Sequence, residues 1–110
     1  MKYFKSTLFT LFFFYCTTSL ASDYPYTIYN ETNETFTTVK IADPTIRDNH
    51  STVYPGENTI DLYEDNNFII NMSGGWGVEE ISVIVQPGKN PTCYPNSYRC
   101  SFDQDSVTIH

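Results

Sequence analysis

Residues that could act as general bases are few in this chain, and no catalytic motif surrounds them. The sequence has 2 histidines, His50 in the polar stretch RDNHS and His110 at the last position. Histidine is the commonest general base, and neither G-x-S-x-G nor H-E-x-x-H occurs. We therefore expect a protein that is not an enzyme. A small secreted hydrolase that uses a carboxylate pair is the alternative, because several acids could converge in space. These acids are Asp61, Glu64, Asp65, Glu79 and Glu80.

Two short acidic stretches could supply oxygen ligands to calcium. They are DLYEDNN (61–67), with Asp61, Glu64 and Asp65, and FDQDS (102–106), with Asp103 and Asp105. Calcium prefers several carboxylate and carbonyl oxygens on a bent loop, and both stretches place carboxylates beside amide or hydroxyl groups. Neither has the glycine and terminal glutamate of an EF-hand loop. We expect no cofactor, with calcium as the alternative.

The single tryptophan of the chain lies between glycines, in SGGWGVEE (73–80). The glycines can adopt positive φ and so favour a tight turn between two strands. Because a small domain needs bulky apolar side chains in its core, we expect the ring of Trp76 to fold back and close that core. The alternative is an exposed ring. Together with Tyr94 and Tyr98 it would then form a ligand-binding surface for a sugar or a protein.

Residues 1–21 have the composition of a secretory signal peptide. A basic start with Lys2 and Lys5 precedes the apolar run LFTLFFFY (8–15), and small residues end the segment at SLA (19–21). The apolar run is shorter than the ~20 residues that a membrane-spanning helix needs. We predict cleavage after Ala21, one domain over residues 22–110, and no stable membrane insertion after cleavage. The protein would be secreted, or periplasmic in a bacterium.

Cleavage would leave Cys93 and Cys100 as the only cysteines of the mature chain. The intervening sequence YPNSYR contains Pro95 and Asn96, which favour a turn. An even number of cysteines in an exported chain predicts a disulfide. Closing so short a loop stabilises a fold by about 2 to 3 kcal/mol in the chain-entropy model.

The mature chain would be strongly acidic. It would keep 4 basic and 13 acidic residues, a formal charge of −9. Nucleic acids and anionic lipid surfaces require clustered Lys and Arg, whereas Lys40, Arg47, Lys89 and Arg99 are scattered. We therefore expect no nucleic-acid partner.

Apolar residues alternate with polar ones from residue 24 onward, which is typical of β-strands. YPYTIYN (24–30) and TFTTVKIA (35–42) are predicted to be a first pair of strands, DPTIRDN (43–49) a loop, and VEEISVIVQ (78–86) the longest strand. The face of Phe68, Ile70 and Met72 is predicted to be core. About seven strands in this spacing predict a small antiparallel β-sandwich.

The stretch VYPGENTIDL (53–62) is similar to strand-turn-strand stretches of immunoglobulin-like and related secreted sandwiches. The resemblance implies an immunoglobulin-like architecture and no particular site residues. Cys93 and Cys100 are too close in sequence to be the inter-sheet cysteine pair of true immunoglobulin domains.

Four Asn-x-Ser/Thr triplets begin at Asn30, Asn33, Asn49 and Asn71. In a eukaryotic secretory pathway they would be glycan acceptors on surface turns. The compact size and simple signal favour a bacterial source, in which most of these triplets would not be glycosylated.

We expect a secreted, non-enzymatic β-sandwich that binds a protein or a glycan. A structural component of an envelope or secreted assembly is a further alternative.

Overall fold

The computed structural model describes residues 24–43, 46–49 and 51–110. The predicted signal peptide, its cleavage site and His50 lie outside these ranges. The described chain forms nine strands and a single turn of 3-10 helix at Ser97–Arg99. The strands are β1 Tyr24–Asn30, β2 Thr38–Ala42, β3 Ile46–Asn49, β4 Gly56–Leu62, β5 Phe68–Ser73, β6 Ile81–Val85, β7 Thr92–Tyr94, β8 Cys100–Asp103 and β9 Ser106–Ile109.

The strands form two sheets, in the orders β4-β1-β9-β8 and β3-β2-β5-β6-β7. All pairs are antiparallel except β1 with β9, which are parallel. The all-β prediction is confirmed. The predicted count of about seven strands is too low. The sheets are mainly antiparallel, as predicted, and the exception is the parallel pairing of β1 with β9, the first and last described strands.

The core lies between the two sheets and consists of the inward-facing positions of each strand. Phe68, Ile70 and Met72 of β5 are buried, as their alternation predicts. Ile28 of β1 and Ile109 of β9 contribute from the other sheet to the same cluster. Facing apolar side chains from both sheets therefore hold the sandwich together.

Three local predictions are wrong. β1 does not pair with β2, because it pairs with β4 and β9 in the other sheet. Residues 46–49 are strand β3 and not loop, since they complete an edge beside β2. β6 is shorter than the predicted 78–86, because residues 78–80 belong to the preceding connection. It is not the longest strand, since β1 and β4 have 7 residues each and β6 has 5. Alternation identifies a strand but not its partner.

The disulfide between Cys93 and Cys100 is confirmed, with a Cα–Cα distance of 6.2 Å. Cys93 lies on β7 and Cys100 begins β8, which are edge strands of different sheets. The bond therefore ties the two sheets together along one side. Within the described ranges, no helix is long and apolar enough to cross a membrane.

Candidate functional site

The candidate site lies at one end of the sandwich, which we call the Trp76 end. It comprises residues 31–35, 74–80 and 95–99, together with His110. Strands β1, β5, β7 and β9 finish at this end, and β2, β4, β6 and β8 begin there. Chain connections from both sheets consequently meet at it.

Trp76 lies at the tip of the β5–β6 connection and is fully exposed, with a relative accessibility of 102%. The prediction that its ring closes the core is therefore wrong. Phe36 occupies that role instead. Its ring is completely buried, and its backbone pairs with Val53 through hydrogen bonds of 3.0 and 2.9 Å. With the core closed by Phe36, the indole ring of Trp76 remains in solvent.

The base of the Trp76 loop is fixed by close backbone contacts. A Cβ atom on Gly74 would lie 2.6 Å from the carbonyl oxygen of Thr35, so only glycine fits there. The amide of Val78 donates a 3.1 Å hydrogen bond to the carbonyl of Gly75. Gly77 adopts a φ of 88°, a conformation that favours glycine. The predicted positive φ holds for Gly77, whereas Gly74 is required for the close approach.

Arg99 connects the Trp76 loop to two other segments. Its Nη1 lies 2.9 Å from Oε1 of Glu79, and its Nη2 lies 3.6 Å from Oε1 of Glu34. Its Nε donates a 2.9 Å hydrogen bond to the carbonyl of His110. Asn96 adds a 3.3 Å hydrogen bond to the other carboxylate oxygen of Glu79. The Arg99 side chain is only 16% exposed, against 33% for Glu34 and 44% for Glu79. Its contacts connect the loops and restrict their relative motion.

Tyr94 and Tyr98 lie within the loop that the disulfide closes, and both rings are exposed, at 67% and 78%. Tyr94 pairs in register with Ser82 near the start of β6. Tyr98 directly precedes Arg99. The fold thus carries the three aromatic residues predicted as ligand-binding on two adjacent loops at one end of the molecule.

Asn30 has a structural role that the sequence did not reveal. Its side chain is 2% exposed. Its Oδ1 accepts hydrogen bonds from the amide and the hydroxyl of Thr32, at 3.0 and 2.6 Å, and its Nδ2 donates to the carbonyl of Glu34 at 2.8 Å. The Asn30 triplet therefore shapes the 31–35 turn and is not a surface acceptor in the folded protein. Asn33 and Asn71 are exposed.

A serine, a histidine and a glutamate also come together at this end. The Oγ of Ser101 lies 2.7 Å from Nε2 of His110, and Nδ1 of His110 lies 3.4 Å from Oε1 of Glu31. In a serine hydrolase the same arrangement would make Ser101 the nucleophile, His110 the base and Glu31 the acid that orients the base. All three side chains are exposed, so water has free access to them. The residues come from three separate strands or connections, and hence no short motif could have identified them.

A cavity of about 390 Å³ opens at the opposite end of the sandwich. Asp65, Asp103 and Asp105 line it, but Asp61 and Glu64 are not among its lining residues. The hydroxyl of Tyr24 donates a 2.5 Å hydrogen bond to Oδ1 of Asp105. Burial, followed by this bond and the nearby carboxylate charge, raises the pKa of Tyr24 to about 12. Burial also raises the pKa of Tyr26 above its usual range.

The structure does not assemble the predicted calcium sites. Across the described ranges, no group of three or more His, Cys, Asp or Glu side chains is arranged to hold a metal ion. Asp61 is on β4, while Asp103 and Asp105 flank the β8–β9 turn. Asp65, Asp103 and Asp105 line the same cavity, whereas Asp61 and Glu64 do not, so the predicted ligands are not gathered into one site.

Comparison of the chain with protein-family models, with curated proteins and with solved structures found no match. The function proposed below accordingly rests on the residues and their geometry.

Proposed function

We propose that the protein is an exported, non-enzymatic binding module of immunoglobulin-like architecture, and that it contacts a protein or glycan ligand through its Trp76 end. The observation that carries the proposal is the full exposure of Trp76 at the tip of a loop with a fixed base. A large apolar ring in water does not stabilise the isolated fold. It contributes free energy when a ligand covers it.

The fixed loop base supports the same proposal. Binding normally costs free energy because mobile loops and side chains must become ordered. Gly74 against Thr35, and Glu79 against Arg99 and Asn96, order this loop before any ligand arrives. Tyr94 and Tyr98, whose rings are also exposed, lie in the disulfide-closed segment that Arg99 and Asn96 connect to this loop. Trp and Tyr are enriched among the residues that dominate binding energies.

The disulfide supports export. Disulfides persist in oxidising compartments outside the cytoplasm, and the Cys93–Cys100 bond is formed here. Together with the predicted signal peptide, it favours a protein that acts at the cell exterior or in the periplasm.

The test is quantitative ligand capture with the protein exported under its own leader. Trp76→Ala is compared with Tyr63→Ala, which removes another exposed aromatic ring, just after β4 at the opposite end of the sandwich. Extracellular proteins are quantified by mass spectrometry, and glycans on an oligosaccharide array. We expect at least one ligand to lose about tenfold or more in affinity with Trp76→Ala and to be unaffected by Tyr63→Ala, as for a binding hot spot. Equal binding by both variants across proteins and glycans would refute the proposal.

The contacts of Ser101 favour a second candidate, a weak esterase that uses serine rather than a carboxylate pair. Ser101 Oγ would attack an ester carbonyl while His110 Nε2 accepts its proton and passes it to the leaving alkoxide. Water would then hydrolyse the acyl-serine. A fluorophosphonate probe should label Ser101 in the wild type and in Ser97→Ala but not in His110→Ala, as read by intact mass. Absence of labelling in the wild type rejects this candidate.

A further inference from the structure

The carboxylates of the Trp76 end exceed its available positive charge. The end carries Glu31, Glu34, Glu79 and Glu80 against the single guanidinium of Arg99. Arg99 is already engaged by Glu34 and Glu79. The side chain of Glu31 is 64% exposed, and its ionic contact is with the imidazole of His110, which is charged only if protonated. Glu80 is exposed beside the same loop. This surface is therefore aromatic and negatively charged.

The other basic residues of the described chain lie elsewhere. Lys40 is in the middle of the second sheet, in register with Asn71 of β5. Lys89 lines the cavity at the opposite end. Arg47 is on the edge strand β3. None of these three positions belongs to the segments that form the Trp76 end, so the negative potential there is not offset locally.

We propose that the ligand of the Trp76 end is a protein segment that carries Lys or Arg side chains. This inference rests on the binding function proposed above and names its partner class. A cation over the indole of Trp76 or the phenol ring of Tyr98 would gain a cation–π interaction. A neighbouring cation would pair with Glu31 or Glu80, which also speeds encounter. A neutral glycan would cover these carboxylates without compensating their charge, and nucleic acids and anionic lipids would be repelled.

The test uses acetylated tetra-arginine amide as the probe and the isosteric tetra-citrulline peptide as its uncharged control. Binding is followed by NMR through the indole N–H of Trp76 and the backbone amides of residues 79–80. We expect shifts at these positions with tetra-arginine only, and weaker binding as ionic strength rises. Trp76→Ala should lower the affinity about 2- to 5-fold, the size of an exposed cation–π contact.

Charge variants locate the interaction. Glu80→Gln should weaken tetra-arginine binding about 2- to 5-fold, as an exposed ion pair does. The matched control is Glu64→Gln, an exposed acid that follows β4 at the opposite end of the sandwich, which should leave the affinity unchanged. The inference is refuted if tetra-citrulline binds equally well, if both Gln variants weaken binding alike, or if the shifts fall at the cavity of Asp103 and Asp105. Both Gln variants remove a solvated carboxylate and should fold normally.

Failure of this inference and of the binding function give different results. A captured glycan, or a captured protein whose affinity depends on Trp76 but not on Glu80 or salt, would refute the cationic partner and retain the binding module. If no ligand loses affinity with Trp76→Ala, both the cationic partner and the proposed binding function are refuted.

Discussion

Arg99 and Glu79 form a 2.9 Å ion pair that connects the disulfide-closed loop to the loop of Trp76. The same guanidinium pairs with Glu34 in the β1–β2 connection. Oε1 of Glu34 is buried and has no hydrogen-bond partner apart from this ionic contact. One arginine thus determines how three chain segments are placed at the proposed binding end.

We predict that Arg99→Ala destabilises the protein by about 1 to 3 kcal/mol, because it leaves the buried oxygen of Glu34 without its cation. Lys40→Ala removes a cation from the exposed position of a strand and should change stability by less than about 0.5 kcal/mol. Urea unfolding measures both. The prediction is wrong if the two variants are equally stable. Adding Glu34→Gln to Arg99→Ala should recover part of the loss, since the uncompensated charge is then removed.

The two adjacent glycines of the Trp76 loop should differ sharply in their tolerance of alanine. A Cβ on Gly74 would meet backbone and side-chain atoms at 2.6 and 2.7 Å, whereas a Cβ on Gly75 meets nothing within 4 Å. We expect Gly74→Ala to cost about 1 to 3 kcal/mol through overpacking and Gly75→Ala to stay within about 0.5 kcal/mol of the wild type. Thermal unfolding of the two variants decides the matter, and equal melting temperatures would contradict the close approach.

Asn30 and Asn33 offer a matched comparison between a buried and an exposed asparagine in consecutive triplets. Asn30→Ala removes three hydrogen bonds that shape the 31–35 turn. We predict a loss of about 1 to 3 kcal/mol, because donors and acceptors of the turn lose their partner. Asn33→Ala should be close to neutral. Denaturant midpoints provide the measurement, and a neutral Asn30→Ala would show that the turn forms without it.

Stability should fall at alkaline pH through Tyr24. The ordinary tyrosine pKa is 10.0, and the folded protein raises that of Tyr24 to about 12. Folding therefore favours the neutral phenol. Its contribution is fully present below pH 10 and is lost as the pH rises through about 12. The raised pKa of Tyr26 acts in the same direction.

The change to test this dependence is Tyr24→Phe, with Tyr98→Phe as the control at an exposed ring. Unfolding free energies measured between pH 8 and pH 12 should decline less steeply in Tyr24→Phe than in the wild type, while Tyr98→Phe follows the wild type. Identical slopes in all three proteins would exclude Tyr24 as a contributor.

Local sequence patterns predict where the strands lie more reliably than they predict which strands pair with each other in a sheet. The alternation around Phe68 and Ile70 identified β5 and its core face, because side-chain direction in a strand depends only on position. The alternation pattern does not predict which strands pair with β1. Its pairing with β4 and β9 is long-range, and any strand with one apolar face satisfies the same pattern.

The sequence predicts the disulfide from two nearby cysteines, and the structure confirms it. The sequence also singles out Trp76, Tyr94 and Tyr98 as aromatic residues, whose role in binding stays a prediction. The burial of Trp76 was mistaken, because nothing in the local sequence shows that Phe36 already closes the core. The contacts of Arg99 with Glu34 and Glu79 join residues far apart in the chain, and neither spacing nor composition reveals them.

The exposure of Trp76 predicts a tryptophan that contributes to recognition and not to folding. Its emission should lie near the limit for indole in water and should shift little on unfolding, since the ring is already solvated. Trp76→Ala should leave the unfolding free energy within about 0.5 kcal/mol of the wild type. Phe36→Ala should cost about 3 to 5 kcal/mol, because it truncates a fully buried ring. Fluorescence spectra of the native and urea-unfolded protein, with denaturation curves of both variants, separate these roles. A blue-shifted native spectrum together with a destabilised Trp76→Ala variant would place the indole in the core and remove the basis of the proposed binding end.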